Sequence, residues 1–386
     1  MLMIVARDLI EIINLPAAGY MKDVLKLGPV GFATVSLFNS VPGYFGPVYG
    51  YIRDRWSPFG MGDRGYFVVV GAILAGVCVF IFATPVGYWA FICASVIWTA
   101  SLLMLYSAIS GLQTTLARRY QIAGWMATGV LFAAGTIGAL IPLIGGRIAD
   151  HFAYRQILLP FSAFCLAIGS FGFWRPKVIE AKRTELQTGK RHVAEDLRRL
   201  IRHYPFRKAL LLSCLWSFSP FSVGIITFLV IDRFGGTMET VGQNESLSAL
   251  AGLPVILLFG LLATRFDLRR ILFVGVAASI LQFVPLLFAH NLSGLLVSSF
   301  VAGLLGDLVE TALLDLKMRS CPEGLEGLSL SLIGLAMLLM AGASIWLGAQ
   351  VFQRDGIVPL VFLAGFGSLV MLPFILRLPK SVASVQ

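Results

Sequence analysis

Long apolar runs, one after another, limit most severely what this chain can fold into. Residues 66–83 read YFVVVGAILAGVCVFIFA without a single charge. A helix needs about 20 apolar residues to cross the hydrocarbon core of a bilayer. Lipid offers the backbone no hydrogen-bond partner, so such a run must satisfy itself as a helix. Comparable runs recur at roughly 2–20, 28–52, 65–84, 87–112, 122–146, 156–174, 209–231, 247–264, 270–289, 292–314, 326–349 and 357–376. Apolar residues make up 58% of the chain and charged residues only 13%, so its main solvent is lipid rather than water. The expected fold class is an all-α membrane protein with twelve transmembrane helices in two six-helix bundles.

The placement of charge gives an expected orientation. With the N-terminus inside, the inner loops carry Arg53, Arg55, Arg64, Arg118, Arg119, Arg265, Arg269, Arg270, Lys317, Arg319, Arg377 and Lys380, together with the basic 175–208 segment. The outer side keeps only Lys22, Lys26, Arg147, Arg155, Arg233 and Arg354. Positive charge stays in the cytoplasm, so both termini are expected inside, in a bacterial inner membrane or its equivalent. The net charge of +10 is then a topology signal rather than a nucleic-acid surface. Residues 175–208 form the one long polar stretch and divide the chain into a bundle at 1–174, a cytoplasmic basic linker and a bundle at 209–386. Inside the linker, Val193, Leu197, Leu200 and Ile201 make one stripe of a short amphipathic helix suited to an anionic leaflet. The run from Gly50 to Arg55 has a loose counterpart from Gly260 to Arg265, the mark of a 6+6 repeat.

Residues 50–66 read GYIRDRWSPFGMGDRGY. This resembles the loop between the second and third helices of the major facilitator superfamily, with Asp54, Arg55, Gly62 and Arg64 at the matching places. The wider stretch from Met21-Lys22-Asp23 through Pro47, Gly50, Asp54, Pro58, Gly60 and Tyr66 is similar to the folate–biopterin transporter family. So is RSCPEGLEGL at 319–328. The Arg64-Gly65-Tyr66 triplet also resembles muropeptide permeases, and pigment-delivery proteins form a third branch. The resemblance implies a secondary transporter of a small organic, ring-containing solute such as a pterin or folate, working by alternating access, with proton coupling as an option. A muropeptide permease or drug exporter is the alternative, and a non-transporting pigment-delivery or assembly factor the alternative of another class.

The gating candidates are Asp54, Arg55 and Arg64. Asp54 ends the second span, and the eleventh begins near Pro322, so the carboxylate is expected to reach the positive end of that helix. The candidates for substrate or proton binding are ionisable groups within apolar runs, where charge is retained only for a partner or a polar cavity. They are Arg7, Asp8 and Glu11 in the first span and Asp307 and Glu310 in the tenth; Arg7 is placed to pair with Glu11, and Asp307, if it binds neither solute nor proton, becomes a structural partner to a basic side chain at the inner mouth such as Lys317. Tyr106 and Gln113 share a face of the fourth span, and Trp216 beside Pro220 offers a ring for stacking. The five cysteines and four histidines have no ligand spacing, so no metal site, cofactor or catalytic group is expected. The expected partners are a small solute, the bilayer and protons, for a monomer without nucleic acid.

Overall fold

The computed structural model describes residues 2–26, 29–84, 86–174, 193–221, 225–226, 229–236 and 238–379. These residues are mostly helical and contain no strand. The helices are α1 (Leu2–Leu9), α2 (Asn14–Asp23), α3 (Pro29–Tyr44), α4 (Gly46–Arg55), α5 (Gly65–Ala83), α6 (Tyr88–Arg119), α7 (Ala123–His151) and α8 (Tyr154–Gly169). There follow α9 (Val193–Arg202), α10 (Tyr204–Trp216), α11 (Met238–Ala263), α12 (Leu268–Ser279), α13 (Leu292–Ser320), α14 (Glu326–Asp355) and α15 (Ile357–Leu376). Among the described residues, nine helical stretches are long and apolar enough to cross a membrane.

Several expected spans are interrupted, two of them beside prolines. The first changes to a 3₁₀ turn over Ile10–Ile13, and the second breaks at Phe45, between Pro42 and Pro47. The stretch expected at 209–231 is not one helix: α10 stops at Trp216, before Pro220, and a π-type piece covers Leu229–Arg233. The ninth breaks after Ser279 and resumes as a 3₁₀ turn over Val284–Phe288. Five spans run further than expected. α7 continues to His151, α14 to Asp355, and α11 starts at Met238. α6 continues to Arg119 and α13 to Ser320, which moves Lys317 and Arg319 out of a loop and into the last turns of a helix. Residues 175–192 of the expected linker lie outside the described residues; the stripe from Val193 to Ile201 lies on α9, with Leu200 fully buried.

The described residues fall into two compact units. The first gathers those of Met1–Leu116, Leu140–His192 and Glu323–Leu335; the second those of Ala117–Ala139, Val193–Pro322 and Ala336–Gln386. In the first, α5 packs along α8, and a Cβ on Gly71 would lie 2.6 Å from the Gly169 Cα. Helices in lipid gain by such close backbone approach, because apolar burial alone does not draw them together. In the second, α11 packs along α13, whose start is capped by Asn291 accepting from the Gly294 amide at 2.8 Å.

Candidate functional site

The first unit holds a buried ion cluster at the end of α4. Gly50 brings α4 against the first turns of α14, since a Cβ there would run into the Gly327 carbonyl and lie 2.6 Å from the Ser331 hydroxyl oxygen. One turn on, Asp54 accepts from the Gly327 amide at 3.1 Å and the Leu328 amide at 2.9 Å. The first amides of a helix have no partner within it, and they carry its positive end. Asp54 therefore caps α14 from a segment more than 270 positions away. Arg53 lies behind it, 2% exposed. Its Nη1 donates to Asp54 at 2.8 Å, while Nε and Nη2 form a fork on Asp63 at 2.8 and 2.7 Å. Glu326, the first residue of α14, adds a carboxylate at 3.9 Å. Gly111 of α6 leaves room for the guanidinium, where any Cβ would collide with it. Burial by itself lowers a guanidinium's hold on its proton, but Asp63, Asp54 and Glu326 outweigh it, and Arg53 is raised above its ordinary range. Burial pushes the Asp54 carboxyl up, against the opposing pull of Arg53 and the two amides.

The loop that supplies Asp63 needs its glycines. Gly60 and Gly62 have φ of +66° and +64°, a backbone region that side chains disfavour. Ser57 accepts from the Gly62 amide at 2.7 Å, and Tyr66 donates to the Trp56 carbonyl at 2.7 Å, closing the turn. The other two gating candidates lie apart from the cap. Arg64 donates to the Trp174 carbonyl at 3.1 Å, and the Arg55 guanidinium sits 5.3 Å from the centre of the Tyr51 ring.

The candidates of the first span fall into a different arrangement from the one expected. Arg7 pairs with its neighbour Asp8 and not with Glu11, which is exposed. The 3₁₀ turn from Ile10 to Ile13 changes the helical register on which an Arg7–Glu11 pair depends. Arg7 also lies 5.0 Å from the centre of the half-exposed Tyr106 ring, while Gln113 is buried further along α6. The second oxygen of Asp8 is buried without a hydrogen-bond partner among the described residues.

The second unit brings together Trp216, Glu310 and Lys317. The Trp216 indole N–H, at the last residue of α10, donates to Glu310 Oε2 at 2.7 Å. Among the described residues the Lys317 ammonium pairs with Glu310 Oε1 at 3.7 Å rather than with Asp307. Asp307 instead turns toward α11, over Gly252, where a Cβ would collide with its carboxylate. From Ser217 to Phe221 the chain is not helical; the Ser344 hydroxyl lies 3.0 Å from the freed Ser219 carbonyl. A cavity of about 200 Å³ opens beside this break, lined by Trp216, Phe218, Ser219, Gln282, Phe283 and Ser368. Interrupted helices at cavities are how membrane proteins present backbone polar groups to a ligand.

Sequence reasoning missed several of these groups. Arg53 read as a solvated topology charge, and Asp63 and Glu326 read only as parts of motifs. Asp315 and Arg319, four apart on α13, form a buried fork with two contacts of 2.7 Å; that spacing was a legible signal. Among the described residues, no group of three His, Cys, Asp or Glu could hold a metal ion.

The profile of the Major Facilitator Superfamily matches residues 125–345, more than half of the chain. The chain belongs to this superfamily: it is a multi-pass integral membrane transporter of small solutes, not an enzyme. Over 97% of its length it is 23% identical to a folate-biopterin transporter of Synechocystis sp., covering 79% of that protein. It is 25% identical over 201 residues to the multidrug resistance protein MdtG of Salmonella paratyphi A, across 50% of this chain and 48% of that one. Two solved structures share its fold. A bacterial homologue of the iron transporter ferroportin, outward-facing, has a TM-score of 0.74 at 14% identity, over 97% of this chain and 98% of that one. The fucose:proton symporter FucP of E. coli has a TM-score of 0.71 at 13% identity, over 98% of both chains.

Proposed function

We propose that this transporter carries a small, ring-bearing organic solute of the pterin or folate type, by alternating access and coupled to protons. The observation that carries the reading is the similarity to a folate-biopterin transporter, which runs through 97% of the chain rather than one half of it. The side chains suit such a solute. Trp216, Phe218 and Phe283 offer flat apolar faces, and Ser219, Gln282 and Ser368 offer hydrogen bonds to ring edges. Within the first unit Arg7, Asp8 and Glu11 are the ionisable candidates for solute or proton, with Tyr106 and Gln113 as further polar groups; within the second they are Asp307 and Glu310. Asp54 serves as the gate: its cap on α14 holds the first turns of that helix in place, and losing the cap releases them. The bundles at 1–174 and 209–386, the linker between them and cytoplasmic termini complete the reading, in a bacterial inner membrane or its equivalent.

Purified protein in liposomes tests this directly. Radiolabelled biopterin and folate should enter faster under an inward proton gradient than without one, and unlabelled compound should chase the label. Liposomes that take up neither compound would overturn the pterin–folate reading. The half-length similarity to MdtG supports a second reading, drug export. That reading predicts proton-driven efflux of lipophilic cations from the same liposomes and no uptake of either compound.

A further inference from the structure

We propose that the cavity beside the helix breaks of the second unit seats an uncharged, planar two-ring heterocycle by its lactam edge, and that the Gln282 carboxamide reads that edge. This rests on the proposed transport of a ring-bearing solute and names the part of the ring that is recognised.

Two interrupted helices supply the cavity. α10 ends at Trp216, and α12 ends at Ser279, with a turn over residues 280–283 before the 3₁₀ piece. Trp216, Phe218 and Ser219 come from the first break, Gln282 and Phe283 from the second, and Ser368 from α15. The aromatic walls are held from behind. The Trp216 indole is bound to Glu310, and the Phe283 ring stacks on Phe221 with centres 4.3 Å apart. Rings fixed in this way grip a flat ligand without losing further freedom of their own.

The polar groups between these walls are unused. Among the described residues, the side chains of Gln282 and Ser368 make no hydrogen bond, although Ser368 is only 6% exposed. The Gln282 oxygen leans toward α13 at Gly306, where a Cβ would stand 3.2 Å from it. Glycine at that position gives the carboxamide its room. Shielding an amide from water without a partner is unfavourable, and a ligand that supplies the partner recovers the loss.

The unused groups define their complement. A carboxamide sets an acceptor oxygen beside an N–H donor. A lactam sets an N–H beside a carbonyl, so the two meet in a pair of hydrogen bonds. The lactam N–H donates to Gln282 Oε1, and the Gln282 amide donates to the lactam oxygen. The Ser368 hydroxyl is left for a further ring atom. The eight described residues that line the cavity are all uncharged, so the seated part of the ligand is uncharged too. The volume, about 200 Å³, is below the roughly 300–1,000 Å³ of pockets that enclose drug-sized ligands. The cavity therefore takes a ring system and leaves a charged tail outside. A pterin ring has this size and this edge.

Quinazolin-4-one and quinazoline share one two-ring frame and differ by the lactam. In 3-methylquinazolin-4-one the lactam donor is blocked. Each compound is titrated into the purified full chain, and binding is read by calorimetry. The wild type should bind quinazolin-4-one about tenfold or more tighter than either of the others. Gln282→Met keeps the length of the side chain and removes both hydrogen bonds; it should bring the three compounds within about twofold of one another. In liposomes that carry biopterin, Gln282→Met should raise KM about tenfold or more and leave the maximal rate within about twofold, a split that a merely structural role would not give. Equal binding of the three compounds by the wild type overturns the assignment, and needs no variant to fold. A preference for quinazolin-4-one that survives in Gln282→Met overturns it as well. A wild type that prefers quinazolin-4-one but carries neither biopterin nor folate sinks the pterin–folate reading and upholds the lactam site.

Discussion

Arg53 has three carboxylates around it, and removing it leaves them facing one another in a buried place. Breaking a buried pair on one side costs about 3–5 kcal/mol, because the remaining charge is uncompensated. Arg53→Met should therefore lower thermal stability in detergent far more than Arg64→Met, whose partly exposed contact is worth about 0–1 kcal/mol. Similar unfolding temperatures for the two variants would show that the cluster is solvated. Asp54 acts differently, on a helix end. Asp54→Asn keeps the shape but loses the charge that faces the amides of Gly327 and Leu328. Losing a cap costs about 1–2 kcal/mol, so the first turn of α14 should open on the order of ten times more often. Ser329 is fully buried, and a cysteine at that position, with the native cysteines replaced, reports the opening as a faster thiol-labelling rate. Asp54 was legible in the sequence because a carboxylate at one helix end and the start of another helix both appear in motifs. Arg53 was not, because nothing in its spacing reveals the room left by Gly111.

Helices meet where glycines let them. Gly50 and Gly327 bring α4 and α14 to backbone contact, and a Cβ on Gly327 would lie 2.8 Å from both the Asp54 carboxylate and the Gly50 carbonyl oxygen. Gly327→Ala should overpack this contact and cost about 1–3 kcal/mol. Gly76→Ala, with nothing within 4 Å, should be neutral or gain up to about 1 kcal/mol from helix propensity. Thermal unfolding of the two variants side by side checks the contrast, and an equal effect would sink it. The sequence repeat between Gly50 and Gly260 has a physical counterpart. Gly260 takes the Trp125 ring and the Thr128 hydroxyl close against α11, within the second unit. The charged cap, however, is not repeated. Four residues after Gly260 stands Thr264, whose hydroxyl bonds back to the Leu261 carbonyl of its own helix. The repeat was therefore legible as a glycine pattern, and its unequal chemistry was not.

For the whole molecule, the distribution of Lys and Arg predicts cytoplasmic termini and a cytoplasmic linker. Lys190→Cys, in a chain whose five native cysteines are replaced, should react with an impermeant thiol reagent only after cells are permeabilised. Labelling in intact cells would reverse the orientation. The apolar runs by themselves determined that this is a helical membrane protein, since a backbone in lipid has no hydrogen-bond partner beyond its own next turn. The local motifs by themselves determined the superfamily and where an acid stands near a helix end. Only the tertiary structure decided which charges share a site. Glu310 and Lys317 stand seven positions apart on one helix and meet only because α13 continues past the expected end of its apolar run, while Trp216 comes from a helix that breaks beside Pro220. Arg53 draws its carboxylates from three separate places in the chain. A polar pattern along one segment records which groups are costly to bury; the partner that offsets the cost comes from packing, and packing brings together residues that are distant in sequence.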